Sequence, residues 1–566
     1  MSVDDQTALL ALLGAGAAAG LGRALRASRR RPARLACAPE LNVLLVVTDQ
    51  ERSWDQLPAG FIDRHCPSRA SLRERGVVFG GAHTPIQLCS MARGAMYTGV
   101  HPQNNGLWEN VPVPMARDLS RSLPTLGSMM REAGYYVGYA GKWHLSKLPL
   151  VGDAGARRMR AIVRSYGFGE SETQGELDGA NAGFEHDDAT TDAALRFIAT
   201  HRGAEAPWFL AVNLVNPHDV MYYTSGEAMT RSRASAFPSP SVRPPRTRLY
   251  QEDLGYEVLG SSGPEGLRDR PPAVREYGAV WDALFGQLEL DRGDVAREFQ
   301  NFYWNCLRDS DRCLGRLLAG LASLGAADRT IVVFTSDHGE YLGAHGLRGK
   351  GVSAYREGSR VPLVVCHPDG PSGVYADNLA SHIDIAPTLL GFAGASPSDA
   401  AERFPQLVGH DLGEVVAGTR GTTTARDREG ILTYWTGLAY IDREAPRLVA
   451  EAMERRGPAR GLALLAMLRR IAWDKRGHMR GLTTGRWKFC RYFRPGAHHQ
   501  PGDVSELRRR NDVELYDTRA DPAERTNLAD VPGLEATLAE LNARTNARIR
   551  SEIGTDCGAF VPRFAR

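Results

Sequence analysis

Four stretches of the chain share one pattern, an unbroken apolar run, rich in β-branched or aromatic residues, that stops abruptly at polar side chains. Asn42–Thr48 stops at Asp49-Gln50, and Tyr135–Ala140 stops at Gly141-Lys142-Trp143-His144. Trp208–Leu214 stops at Asn216-Pro217-His218-Asp219, and Thr330–Thr335 stops at Ser336-Asp337-His338-Gly339-Glu340. A run without polar alternation suits a strand covered on both faces, as in a parallel sheet. Helix-like stretches, Thr125–Ala133 and Thr191–His201 among them, lie between the runs. Alternating strand and helix predicts an α/β fold with a mostly parallel central sheet flanked by helices. Ligands of open parallel sheets sit at the carboxyl ends of the strands. The four runs therefore predict that Asp49, Gln50, Lys142, His144, His218, Asp337 and His338 meet at one rim.

Leu88–Gly99 reads as a short helix through Met91, Ala92, Ala95 and Met96, with Gly99 as its stop. Cys89 falls at the first turn, where unpaired N–H groups favour negative charge. Arg93, four residues on, projects from the same face and can clamp an anion there. Cys66-Pro67-Ser68-Arg69 looks similar, but its cysteine-to-arginine spacing is one residue short, and we read it as a decoy.

Beyond Gly409 the pattern loosens. Thr419–Glu429 reads as a polar loop and Arg455–Met479 as an inserted helical piece. Thr484–Phe489 and Glu514–Asp517 read as two strands of a small antiparallel sheet, covered by a helix from Pro532 to about Ile549 with a Leu534, Leu538, Leu541 stripe. Ser225–Ala283 has little periodicity and reads as a lid or substrate wall. The organisation expected is an amino-terminal extension over 1–40, a catalytic domain over 41–415 and a carboxyl-terminal subdomain over 416–566.

At 566 residues the chain is too long for one ordinary core. A net charge of +3 with no dominant basic run excludes nucleic acid as the indicated partner. Eight scattered cysteines form no metal-knuckle pair and no disulfide framework, compatible with a reducing compartment. Thr7–Leu21 is apolar but shorter than the roughly 20 residues a span needs, and its basic run through Arg34 follows rather than precedes it. The expectation is cytoplasmic retention, with weak membrane association through residues 7–34 as the alternative.

With its neighbours, the Cys89–Arg93 stretch resembles the sulfatase family, whose signature is Cys or Ser, any residue, Pro or Ala, any residue, Arg, with Thr-Gly beyond. Met91 departs from that signature. The resemblance runs from Asn42 to Ala529 in motif order: Asp49 is similar to the family's first metal-binding aspartate, and Gln50 stands where many members have a second. Gly141-Lys142-Trp143-His144 and Asn216-Pro217-His218 resemble its sulfate-holding segments. The stretch from Asp337-His338 to Lys350 resembles its second metal segment, and Arg360–Leu363 and His382–Leu390 its scaffold segments.

The resemblance implies an alkaline-phosphatase-like fold and hydrolysis of a sulfate monoester. It implies one divalent cation, Ca²⁺ by family with Mn²⁺ or Mg²⁺ as alternatives, held by Asp49, Gln50, Cys89, Asp337 and His338. Cys89, Arg93, Lys142, His144, His218 and Lys350 would carry the chemistry. Cys89 would be oxidised to formylglycine by a maturation enzyme; left as a thiolate it would lack the second hydroxyl that releases sulfate. The pattern Asp49-Gln50 with Asp337-His338 is similar to the choline-sulfatase and phosphonate-monoester-hydrolase branch. A phosphonate monoester or phosphodiester hydrolase is therefore the alternative, and a non-catalytic anion-binding homologue the second. Tyr97, Trp108 and Trp143, with Ser225–Ala283, are the expected pocket wall for an aryl, sugar or quaternary-ammonium leaving group.

Overall fold

The computed structural model describes residues 35–558 apart from 36, 38, 112, 114–115, 149–152, 173–178, 234–240, 260–266, 419–421, 438–439, 454, 456–461, 464–465 and 468. Residues 7–34 lie outside the described residues.

The first sheet contains β1 (Asn42–Asp49), β2 (Val77–His83), β3 (Tyr136–Gly141), β4 (Glu170–Glu172), β5 (Trp208–Pro217), β6 (Thr330–Ser336), β7 (Leu363–Cys366) and β8 (Val374–Ser381). Its order is β4-β3-β5-β1-β6-β7-β2-β8. The four apolar runs are β3, β5, β1 and β6, adjacent and mutually parallel in the middle of the sheet. Among the described residues the antiparallel strand pairings of this sheet are those of β7 with β6 and β2.

Burial explains the runs. In β1, Val43, Leu45 and Val47 enter one apolar cluster, while Leu44 and Val46 enter another on the opposite face. The second cluster is roofed by the Ala182–His201 and Gly293–Ser323 helices through Ala194, Ile198, Leu314, Leu317 and Leu321. A strand buried on both faces reads as a near-continuous apolar run until it leaves the sheet. Because β1, β3, β5 and β6 are parallel, the residues that follow them emerge on the same edge.

The second sheet is antiparallel, in the order β12-β11-β10-β9, from β9 (Ile431–Trp435), β10 (His478–Thr483), β11 (Trp487–Phe493) and β12 (Asp512–Asp517). The Glu535–Arg548 helix packs Leu538 and Leu541 against Leu482, Phe489 and Leu515.

Several boundaries differ from the sequence reading. The helix expected from Thr191 begins at Ala182, because Asp219 accepts from the backbone N–H of Gly183 (3.0 Å) and Phe184 (3.3 Å) and satisfies its first turn. Of the helical piece expected over Arg455–Met479, His478 and Met479 belong to β10, part lies outside the described residues, and the clear helix is upstream at Ala445–Met453. Ala425–Glu429, expected as loop, is a short helix capped by Thr424. Ser225–Ala283 contains helices at Gly226–Arg233 and Arg248–Gln251 and most of one at Pro272–Phe285, whose Val274, Tyr277, Val280 and Trp281 are buried.

Candidate active site

The Cys89–Thr98 helix follows extended Leu88 and ends at Gly99, whose φ of 67° and N–H bond to the Ala95 carbonyl close it with a left-handed cap. Cys89 is its first residue, and the whole helix is buried. Cys89 Sγ receives a hydrogen bond from Lys350 Nζ at 2.8 Å and lies 3.2 Å from His338 Nε2 and 3.7 Å from Asp49 Oδ1. Asp49, Cys89, Asp337 and His338 offer ligand atoms that all lie within 4.8 Å of one another. These groups come from the ends of β1 and β6 and from one helix start, far apart in the chain.

Arg93 does not face an open anion space. Its Nη2 donates to Asp49 Oδ2 and its Nε to Asp337 Oδ2, both at 3.0 Å. Its Nη1 donates to Asn213 Oδ1 at 2.9 Å and to the Lys142 carbonyl at 3.2 Å. The guanidinium thus ties the ends of β1 and β6 to the interior of β5. Lys142 Nζ pairs with Asp49 Oδ2 at 2.9 Å. Asn213, which also accepts from Tyr97 Oη at 2.9 Å, is hidden in the sequence within the apolar run of β5; the signal for it is an amide inside an otherwise apolar buried strand.

The two carboxylates have opposite electrostatics. Burial pushes Asp49 up, but Lys142, His218, Lys350 and Arg93 together hold it well below the usual carboxylate range. Asp337 is pushed up, by burial first and then by Asp49. Burial lowers His338 to about 4, so its imidazole is neutral at ordinary pH. Its Nδ1 faces the Gly339 carbonyl at 2.9 Å. A carbonyl only accepts, so Nδ1 carries the proton and the Nε2 lone pair points at the cluster. Two carboxylates, one such lone pair and the side chain of residue 89 fit a divalent cation.

Gln50 and His144 both adopt left-handed backbone, at φ 70° and 54°. Both are non-glycine residues at strand exits, where such strain is held by surrounding structure. Gln50 turns its Oε1 to Lys350 Nζ (2.9 Å) and its Nε2 to Glu340. Asp187 grips the segment before His218 by accepting from the backbone N–H of Val215 (2.7 Å) and Asn216 (2.9 Å).

The expected aromatic wall is different in kind. Tyr97 and Trp143 are buried and pack in a cluster with Tyr139 and Phe168, and Trp108 is also buried. The Pro272–Phe285 helix instead abuts the Lys350 segment: Tyr277 Oη donates to the Lys350 carbonyl, and the Trp281 ring lies where a Cβ on Gly349 would be. At the decoy, Arg69 is spent on Glu51 (2.6 Å) and Asp311 (3.1 Å), and burial raises the Cys66 thiol.

A doubly covered sheet whose adjacent parallel strands end in carboxylates, imidazole and Lys142 around one buried helix start is an alkaline-phosphatase-like architecture. The sulfatase family model matches residues 41–395, and the chain belongs to that family. It is 24% identical over 527 residues to a choline-sulfatase of Rhizobium meliloti (strain 1021), covering 84% of this chain and 96% of that one. It is 26% identical over 347 residues to the uncharacterized sulfatase YidJ of Escherichia coli (strain K12), covering 57% of this chain and only 62% of that protein. The phosphonate monoester hydrolase SpPMH from Silicibacter pomeroyi has the same fold, with a TM-score of 0.61 at 18% identity over 91% of this chain and 97% of the other.

Proposed function

We propose that this chain hydrolyses a sulfate monoester of a small molecule or sugar, with residue 89 as the nucleophile. The observation that carries the reading is the contact of Cys89 Sγ with Lys350 Nζ and His338 Nε2 inside a cluster that also holds Asp49 and Asp337. Asp49, Asp337 and His338, with Gln50 and residue 89, would hold one divalent cation, which when bound lowers the pKa of a coordinated hydroxyl and offsets charge on the ester. Arg93 and Lys142 keep the Asp49 carboxylate ionised and oriented. Lys350, His218 and His144 would surround the tetrahedral centre and stabilise the charge that develops on the leaving oxygen. In this reading a maturation enzyme converts Cys89 to formylglycine.

The alternative, hydrolysis of phosphonate monoesters or phosphodiesters, is favoured by one feature, the donor pattern Asp49-Gln50 with Asp337-His338. Metal analysis of purified protein together with multiple-turnover assays on an aryl sulfate tests the proposal. The expected result is about one divalent cation per chain and sustained turnover. Metal-replete protein that binds sulfate but never turns over would select an anion-binding homologue instead.

A further inference from the structure

We propose that Glu340 is a positioning residue that decides which end of the Gln50 amide faces Lys350 and the donor cluster; this rests on the reading of that cluster as the active site. Glu340 is fully buried. Its Oε1 accepts from the backbone N–H of Leu342 (3.0 Å) and of Gly349, and its Oε2 accepts from Gln50 Nε2. Three donors converge on this one side chain, and both of its oxygens act as acceptors. The amide nitrogen of Gln50 must then turn towards it, leaving Gln50 Oε1 on the other side to accept from Lys350 Nζ at 2.9 Å. The same ammonium donates to Cys89 Sγ.

Nothing else is left to choose. The backbone of Gln50 is pinned by its N–H to Asp337 Oδ1 (3.1 Å) and by its carbonyl, which accepts from Tyr303 Oη (3.0 Å). Only the sense of the amide remains, and Glu340 sets it. Through Gly349, Glu340 also holds the backbone beside Lys350, so the head group and the chain of that lysine are referred to one carboxylate.

The test is a swap. In Glu340→Gln the new carbonyl must stay on the Leu342 and Gly349 N–H groups, so its NH₂ faces Gln50. Gln50 then reverses and presents its own NH₂ to Lys350 Nζ, donor against donor. Gln50→Glu alone sets two buried carboxylates face to face. In the double variant the amide introduced at position 340 donates to the carboxylate introduced at position 50. The other oxygen of that carboxylate accepts from Lys350, and the chain of bonds is whole again. Each single variant should weaken Mn²⁺ binding to metal-free protein, measured by calorimetry, by about tenfold or more. The double variant should recover to within about threefold of wild type, a difference of under about 1 kcal/mol. Thermal midpoints without metal should follow the same pattern, lowered in both singles and recovered in the double. A double variant no better than Glu340→Gln, or single variants equal to wild type, would overturn the inference. Wild type that takes up no metal would overturn the metal reading instead, and the midpoints would still decide the role of Glu340. A single variant that fails to fold while the double folds counts for it.

Discussion

Lys350 Nζ donates to Cys89 Sγ across 2.8 Å, although 261 residues separate them in the chain. Gln50 Oε1 also accepts from this ammonium, and Tyr277 Oη fixes the backbone of the same lysine by donating to its carbonyl. If residue 89 reacts as proposed, a cation fixed beside it stabilises developing negative charge without reorganising. Lys350→Met should therefore lower kcat/KM by on the order of 10²–10³, about 3–4 kcal/mol. Steady-state kinetics on an aryl sulfate checks this, and a loss under threefold would remove Lys350 from the chemistry.

Asp337 serves the cluster and Arg93 at once. Asp337→Asn preserves shape but replaces one oxygen by a donor facing Nε of Arg93 or the cation. Metal content should fall at least tenfold and kcat/KM with it, while the circular dichroism spectrum stays native. Full occupancy and full activity in this variant would sink the metal assignment.

The parallel sheet was legible because two-sided burial keeps β1, β3, β5 and β6 almost wholly apolar until they near their ends, Asn213 of β5 apart, so most of the chemistry is written where the apolar run stops. Cys89 at the first turn of its helix was legible for the same kind of reason, a short apolar segment ending in Gly99. The partners of Arg93 were not, because nothing local says whether a guanidinium meets substrate or the carboxylates beside it; here Asp49 and Asp337 come from two other strands. Asn213 and Glu340 were missed because each is defined by a contact across the sheet rather than by spacing. The Pro272–Phe285 helix was hidden because the Ser225–Ala283 stretch shows little periodicity overall; its buried face, with Tyr277 and Trp281, packs on the Lys350 segment.

Met91 sits in the helix turn after Cys89, buried, with its Sδ 3.9 Å from Thr436 Oγ1. It replaces the small residue of the sulfatase signature, so the expected outcome is partial conversion of Cys89 to formylglycine when a maturation enzyme is co-expressed. Met91→Ala should raise the converted fraction while costing about 2–5 kcal/mol of stability through the cavity it leaves. Peptide mass spectrometry reads both proteins. Active enzyme with only unmodified thiol at residue 89 would rule out the aldehyde.

Glu552 predicts an acid limit to stability. Burial pushes its carboxyl up, but His101 (2.7 Å) and Arg426 (2.7 Å) overcome this and hold it down to about 2, against an ordinary value of 4.5. A carboxyl with a depressed pKa in the fold stabilises it fully above its unfolded pKa, and that contribution is lost as pH falls from about 4.5 to about 2. The gap corresponds to about 3 kcal/mol, an upper figure for the buried network. Glu552→Gln should therefore be less stable than wild type at pH 7, with the difference closing as pH approaches 2. Urea unfolding at pH 7 and pH 3 measures it, and a constant gap would refute the assignment.

Substrate class rests on charge. Sulfate monoesters, phosphonate monoesters and phosphate diesters each carry one negative charge on a tetrahedral centre, so Lys350, His218 and His144 cannot separate them by charge alone. Phosphate monoesters carry a further charge near neutral pH, and cationic groups that bind this charge equally in the ground and transition states do not raise the rate of the chemical step. The family membership and the Gly141–His144 and Gly349-Lys350 segments favour sulfate, whereas Asp49-Gln50 with Asp337-His338 leaves phosphonate turnover open. The expected outcome is a sulfate monoester as main substrate, with weaker activity on phosphonate monoesters or diesters. The measurement is kcat/KM for an aryl sulfate against an aryl phosphonate with the same leaving group, so that the departing oxygen cancels. A ratio well above one supports the sulfatase reading; a ratio well below one transfers the assignment to phosphonate hydrolysis, with residue 89 and its metal cluster keeping the same roles.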